Sequence, residues 1–240
     1  MYDRPELEQV HDRFWALIRD GLGQAGLDAP IKLRHGEGAL DWQDPTMLLS
    51  QTCGMPYRMG LHKRVVLVGT PNYGVEGCRP GYYRSALVVR AVDERSVLDV
   101  LSEGQIAFNM RHSQSGFAAL HAHAASLGLF IDPQCETGGH LASARAVAEG
   151  RADVAALDAV SWRLMQRYDD FARDLKVIDW SRPTPGLPLV TAFPNHVPAL
   201  KRAINYALQS LSFADCEALG FRALVEFHPR AYLAEAGLHG

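Results

Sequence analysis

The residues best suited to chemistry sit where apolar strands run into helices. Ile106-Ala-Phe-Asn-Met-Arg-His-Ser-Gln-Ser-Gly116 reads as an apolar strand, a polar loop and a helix starting near Ser115 or Gly116. Ser113 and Ser115 suit an N-cap, and the amides of a first helical turn, together with these hydroxyls and Gln114, make a site for a small oxyanion. Charge-assisted hydrogen bonds contribute about 1.5–3 kcal/mol each, so four of them would hold a phosphate-sized ligand at micromolar strength. An ordinary capped helix would carry the same local sequence. Leu48-Leu-Ser-Gln-Thr-Cys-Gly54 repeats the order: an apolar strand, the polar residues Ser50, Gln51 and Thr52, then a glycine that lets backbone approach a ligand. Alone it is a turn. Beside the Ser113 loop it suggests two strand ends lining a cleft, the place where open α/β sheets bind ligands.

Two further positions carry polar groups at helix starts. Gly138-Gly139-His140 opens one helix, and a strand ending in Asp158 opens the next. An imidazole can donate to an anion, and a carboxylate can accept the proton of a monoprotonated one; each residue is equally well read as a helix cap. Tyr82 and Tyr83 alternate across a strand, so only one of them should face a ligand. His121 and His123, two apart on a helix, cannot form one metal face and are expected at the surface. Cys53, Cys78, Cys135 and Cys216 form no C-x-x-C and no Cys/His cluster with zinc spacing, so neither metal nor cofactor is expected.

The elements that must position these residues alternate between helix and strand. Residues 5–27 carry apolar side chains at Leu7, Val10, Phe14, Leu17, Ile18 and Leu22, the stripe of an amphipathic helix. Strand-like runs follow at residues 31–33, 47–50, 65–70, 82–90, 105–109, 153–157, 175–178 and 189–193, with helical patterns at 116–127, 141–149, 159–168 and 197–211. Short strands without polar alternation, separated by helices, predict an α/β protein with parallel sheets buried on both faces. The long strand at 82–90 could cross between two sheets. Thr184-Pro-Gly-Leu-Pro188 is a stiff, extended segment suited to the return. Two lobes are therefore expected: 1–88 with 187–240, and an inserted lobe at 89–186.

Composition narrows the partners. With 24 basic against 27 acidic residues and no cationic block, the chain lacks the clustered positive field that nucleic acid or an anionic membrane needs. No apolar run approaches the roughly 20 residues that span a bilayer. No secretory signal is visible at the start of the given chain, which leaves a cytoplasmic location open.

Taken together, Ser50-Gln-Thr-Cys-Gly-Met-Pro-Tyr57, Gly77-Cys78 with Tyr83-Arg84-Ser85, the loop from Asn109 to Gly116, Gly139-His140, Gly150-Arg-Ala-Asp153-Val-Ala-Ala-Leu-Asp158 and Pro185 to Pro188 resemble the phosphate/phosphite/phosphonate substrate-binding proteins of ABC transporters, the PhnD-like group. The resemblance covers nearly the whole chain. It implies a type 2 periplasmic-binding fold, two α/β lobes joined by two crossing segments with a ligand cleft between them, and a periplasmic location. Carried over, Ser113, Gln114 and Ser115 match the loop that holds phosphonate oxygens, His140 the histidine opening a helix of the second lobe, Asp158 the acid that follows, and Tyr83 the tyrosine of the crossing strand. Gln51 and Thr52 match the first-lobe loop, and Tyr2 an aromatic at the end of the family's first strand, of which little is present here. Met110-Arg111-His112 departs from the usual Asp-Pro-Asn type of sequence, and Arg111 adds a charge near the site. In an oxidising compartment Cys53 and Cys78 would be able to form a disulfide worth roughly 3 kcal/mol; in a cytosol they would be buried thiols.

The function this implies is non-catalytic capture of a small oxyanion of phosphonate, phosphate or phosphite type by a monomer that hands it to an ABC permease, without nucleic acid and without membrane insertion. Two other classes compete: an enzyme on the same fold with Cys53 as nucleophile and a histidine as base, and a ligand-sensing module of a regulatory system.

Overall fold

The computed structural model describes residues 2–36 and 42–235. Its contacts divide the chain into two compact units, Met1–Tyr82 with Pro185–Ala234, and Tyr83–Thr184, which Glu235 joins. In chain order the elements are α1 (Glu8–Gln24), β1 (Ser50–Gln51), α2 (Gly54–Met59), β2 (Val66–Asn72), β3 (Tyr82–Tyr83), β4 (Ser85–Arg90), α3 (Val97–Glu103), β5 (Ile106–Phe108), α4 (Ala119–Ser126), β6 (Cys135–Glu136), α5 (His140–Ala148), β7 (Val154–Asp158), α6 (Ala159–Tyr168), β8 (Leu175–Trp180), β9 (Thr184–Pro185), β10 (Leu189–Thr191), α7 (Val197–Ser210), α8 (Phe213–Leu219), β11 (Ala223–Val225) and α9 (Arg230–Leu233).

In the first unit the strands run β1-β10-β2-β11, with every pairing antiparallel. Of the stripe read on the first helix, Leu7, Val10, Ile18 and Leu22 are buried and Phe14 and Leu17 half-buried, while Trp15, outside that stripe, is buried too. Trp15, Ile18 and Leu22 meet Leu200, Ala203, Ile204 and Ala207 of α7 and Val68 of β2 in one apolar cluster. A second cluster joins Tyr57 of α2, Val190 of β10 and Tyr232 of α9.

The second unit holds a five-stranded sheet, β6-β5-β7-β4-β8. Its two central strands divide their side chains by the period of two. Ala86 and Val88 of β4, with Ala155 and Leu157 of β7, pack with α5 and α6. Leu87 and Val89, with Val154 and Ala156, pack with α3 and α4. Both faces are covered, which explains why these strands read as unbroken apolar runs.

The structure corrects three expectations of the sequence reading. The sheets are not parallel throughout: only β5 runs parallel to its neighbours β6 and β7, while β4 is antiparallel to β7 and β8. β4 carries the chain into the second unit and β8 carries it towards the exit, so as neighbours they must run in opposite directions; β2 and β10 stand in the same relation in the first. Residues 31–33 form no strand, because Ile31 is exposed and the Pro30 and Ile31 carbonyls are taken by Trp15 Nε1 and Arg19. The long strand read at 82–90 breaks at Arg84. The capping box that starts α3, Ser96 with Asp99, is a local signal that the periodicity reading passed over.

Candidate functional site

In the second unit the candidate site is built where β5 ends. The chain leaves Phe108 through Asn109 and turns at residues 110–113, with the Ser113 N–H on the Met110 carbonyl at 3.0 Å. Ser113 is the N-cap, its Oγ accepting the Gly116 N–H at 3.1 Å. The first turn, Gln114–Ala118, is a π-turn that runs into α4; such turns widen a helix locally and recur at functional sites. Ser113, Gln114 and Ser115 are all buried.

Backbone bonds bring a second loop beside this turn. Thr137 N–H donates to the Phe108 carbonyl at 2.9 Å and Gly138 N–H to the Asn109 carbonyl at 2.8 Å. Gly138 takes φ +84°, a left-handed conformation that favours glycine, and α5 begins two residues later at His140. The imidazole therefore lies against the π-turn, with Nε2 2.8 Å from Ser115 Oγ and 3.5 Å from Asn109 Nδ2. From β4, Ser85 Oγ donates to the Ser115 carbonyl at 2.9 Å. Gly116 has no room for a side chain, since a Cβ there would lie 2.1 Å from Asn109 Oδ1 and 3.1 Å from His140 Cε1.

His140 is half-buried. Burial pulls its imidazole down to about 4, outweighing the opposing Ala156 backbone. At neutral pH the ring is uncharged, and the Ser115–His140 bond shares a single hydrogen. His140 does not cap α5, as one reading allowed: Gly139 holds the N-cap position. Asp158 does cap α6, its Oδ1 accepting the Val160 N–H at 2.8 Å and the Ser161 N–H at 3.0 Å. It stands opposite Ser85 in the β4–β7 ladder. Tyr83, one of the expected contacts, is buried just ahead of β4. Asn109 Oδ1 is buried with no hydrogen-bond partner among the described residues. An acceptor left in that state costs about 1–3 kcal/mol, so it is a place for a donor to bind.

The first unit gathers three aromatic and polar side chains. Gln51, at the end of β1, donates its Nε2 hydrogens to the Leu187 carbonyl at 3.2 Å and to Tyr73 Oη at 3.4 Å. Tyr2 packs edge-on to Tyr73 with ring centres 5.0 Å apart, and its φ of +56° is uncommon for a bulky residue. Tyr2, Gln51 and Tyr73 line a cavity of about 540 Å³. Thr52 is fully buried beside them in sequence, with its N–H on the Pro188 carbonyl at 3.0 Å. Cys53 is buried and Cys78 half-buried. The Cys53 carbonyl accepts the Tyr57 N–H, and the Cys78 N–H donates to the Val75 carbonyl.

Sequence reasoning missed Asn109, Tyr73 and Ser85 as members of these clusters. The available signal was position, a polar residue at the end of a buried strand in each case. It also misplaced His121 and His123, which are half-buried rather than at the surface. His121 packs on Phe117 with centroids 4.5 Å apart, and His123 Nε2 lies 3.2 Å from Asp179. The Arg111 guanidinium sits over Phe108 and Phe117, at 5.7 and 5.9 Å.

Residues 50–238 match the family model described as ABC transporter, phosphonate, periplasmic substrate-binding protein. No curated protein matches the sequence. Among solved structures, PhnD1 from Prochlorococcus marinus in complex with methylphosphonate is similar at a TM-score of 0.71 and 14% identity, covering 96% of this chain and 91% of that one. XAC2383 from Xanthomonas citri bound to chloride ion gives 0.68 and 17%, covering 97% and 93%. A binding protein component of an ABC phosphonate transporter from Pseudomonas aeruginosa gives 0.58 and 19%, covering 88% and 75%. At these identities the likeness establishes the fold, that of the periplasmic binding proteins. No helix among the described residues is long and apolar enough to cross a membrane.

Proposed function

Because the chain belongs to the family of periplasmic phosphonate substrate-binding proteins of ABC transporters, we propose that it captures a small phosphorus oxyanion in the periplasm and delivers it to a membrane permease. The observation that carries this reading is the uncharged cluster of buried Ser115 and Asn109 with half-buried His140 at the start of a helical turn. Ser113 and Ser115 hydroxyls, the amides of the turn and His140 supply donors to an anion, and the helix end adds a favourable field. Asn109 Oδ1 and the Asp158 carboxylate supply acceptors. An oxyanion that keeps one proton suits such a mixed set, as methylphosphonate, phosphate and phosphite do and sulfate does not.

Gln51, Thr52, Tyr2 and Tyr83 are proposed as the remaining ligand contacts, with Tyr73 setting the position of Gln51. The proposed role is binding rather than catalysis, because the family is one of substrate-binding proteins; a Cys53-dependent enzyme is the alternative.

The test is calorimetric titration and thermal shift with methylphosphonate, phosphate, phosphite and sulfate. A ligand at 100 times its dissociation constant should stabilise by about 2.7 kcal/mol. Ser115→Ala removes a hydroxyl worth about 1.5–3 kcal/mol to a bound anion, a loss of roughly 10- to 150-fold in affinity. If none of the phosphorus oxyanions moves the melting point, or if Ser115→Ala binds them as tightly as the wild type, the proposal fails.

A further inference from the structure

A second cluster of ligating side chains lies in the first unit, on residues that the oxyanion reading does not use. His11 and Asp12 stand on the first turns of α1, and His35 and Asp3 come from the segments on either side of that helix. Asp3 Oδ1 lies 2.8 Å from His35 Nδ1 and 3.6 Å from His11 Nδ1. The ligand atoms of Asp3, His11 and His35 all fall within 4.8 Å of one another. In a tetrahedral zinc site with bonds of about 2.0–2.1 Å, neighbouring ligand atoms stand roughly 3.3 Å apart. The two measured separations bracket that value.

The surroundings of these atoms match those of a metal site as well. Metal-bound histidines almost always hand their second ring nitrogen to a carboxylate or carbonyl, which fixes the ring and its tautomer. His35 Nε2 is 3.1 Å from Asp12 Oδ1. The other oxygen of Asp3 accepts the Gly36 N–H at 2.9 Å, which fixes the carboxylate with one oxygen turned to the imidazoles. His11 and His35 keep only 15% and 23% of their side-chain surface exposed. Asp3, His11 and His35 also form part of the wall of the cavity of about 540 Å³, beside Phe14, Trp15 and Leu33. Three protein ligands on a cavity wall leave a fourth position open to water or to an anionic group inside it.

We infer that Asp3, His11 and His35 bind a divalent first-row transition ion, with zinc the occupant that two imidazoles and a carboxylate favour, and that Asp12 orients His35 from outside the coordination shell. The chain thus carries a metal centre on the first unit that is separate in residues from the oxyanion cluster on the second.

The experiment is titration of the chelator-treated full chain with Zn²⁺, and in parallel with Co²⁺, whose visible absorption reports tetrahedral nitrogen and oxygen ligation. One equivalent should bind with a rise in melting temperature that EDTA reverses. Asp12→Asn should weaken binding by about 10- to 100-fold, the range for loss of an outer-shell carboxylate, and His35→Gln should abolish it. Circular dichroism checks that each variant is folded, and Asp12→Asn keeps the test open should His35→Gln fail to fold. No stoichiometric ion, an ion with a thiolate charge-transfer band, or binding unchanged in Asp12→Asn and His35→Gln would each overturn the inference. Because the readout is metal, its failure is distinct from failure of oxyanion binding.

Discussion

Replacing Gly116 by alanine tests the geometry of the π-turn most directly. The added methyl would lie 2.1 Å from Asn109 Oδ1, 2.7 Å from Asn109 Cγ and 3.1 Å from His140 Cε1. Neither neighbour has an easy way out. Asn109 is buried at a strand end whose carbonyl is fixed by Gly138, and His140 is held against Ser115 Oγ at 2.8 Å. Overpacking of this kind costs about 1–3 kcal/mol, and two rigid neighbours put it near 3. Against this, alanine is better than glycine in a helical turn by roughly 0.5–1 kcal/mol. The clash wins, for a net loss of about 2 kcal/mol and a melting point lower by about 4–8 °C. Gly23→Ala supplies the opposite sign: a Cβ there meets nothing within 4 Å in α1, so stability should rise by about 0.5–1 kcal/mol. Both variants are measured by scanning calorimetry with and without methylphosphonate, and Gly116→Ala should also lose the ligand-induced shift. A Gly116→Ala protein that melts within about 1 °C of the wild type, or is stabilised like Gly23→Ala, would refute the packing described for the site.

Two titrations give further outcomes. His140 is uncharged in the fold, at about 4, against an ordinary 6.5 when unfolded. Above pH 6.5 neither state takes the proton and its contribution is complete. Between pH 6.5 and 4 the unfolded chain binds it first, so stability falls as pH drops, by about 3 kcal/mol across the window. Urea unfolding at pH 7 and pH 5 should show this loss in the wild type and a smaller one in His140→Gln; equal losses sink the assignment. Asp153 has the opposite sign. Burial pushes its carboxyl up, but the Gln105 N–H and the Arg95 and Arg90 guanidiniums, the latter two at 2.8 Å, outweigh this and bring it down to about 2 from 3.8. Its contribution is present above pH 3.8 and disappears as pH falls through 2. Discounted for solvent screening, Asp153→Asn should cost about 1–2 kcal/mol at pH 7, and a variant as stable as the wild type at that pH would contradict the network.

How much of this was legible beforehand depends on the range of the interactions. The stripe on α1 and the apolar runs of β4, β5 and β7 are local patterns, and helix and strands stand where the patterns put them. Ser113 as N-cap is local as well. Strand direction is not local. Whether β4 lies beside β8 or β5 is decided by where the chain enters and leaves a unit, and single-strand composition is blind to it. Residues 31–33 show a different limit: Ile31 and Leu33 are strand formers, but side-chain bonds from Trp15 and Arg19 claim the carbonyls there. The Ser115–His140 contact joins residues 25 positions apart. A resemblance could name both partners, whereas only the Thr137 and Gly138 bonds to the end of β5 explain why they meet. Asn109 was in view throughout as part of the loop, yet its significance lies in an unpartnered oxygen, which no spacing announces.

The formal charge of −3 and the uncharged state of His140 lead to the same conclusion about selectivity. A site that held its anion with buried cations would gain Coulomb energy from any anion of the right size, with little regard to protonation. The cluster of Ser113, Ser115, His140 and Asn109 offers dipoles instead, and dipoles have direction. A hydroxyl or amide rewards an oxygen lone pair only along its N–H or O–H axis, while Asn109 Oδ1, buried and unpartnered, repels a lone pair and favours a proton. On the proposed reading the fully ionised sulfate meets that oxygen with a like-signed edge, and a monoprotonated phosphonate meets it with a hydrogen. An unmade bond to a buried acceptor is worth about 1–3 kcal/mol, a discrimination of roughly 5- to 150-fold from one atom. The absence of a buried cation, with Asn109 Oδ1 and the Asp158 carboxylate as acceptors, is therefore what would let the site distinguish two tetrahedral oxyanions of nearly equal size.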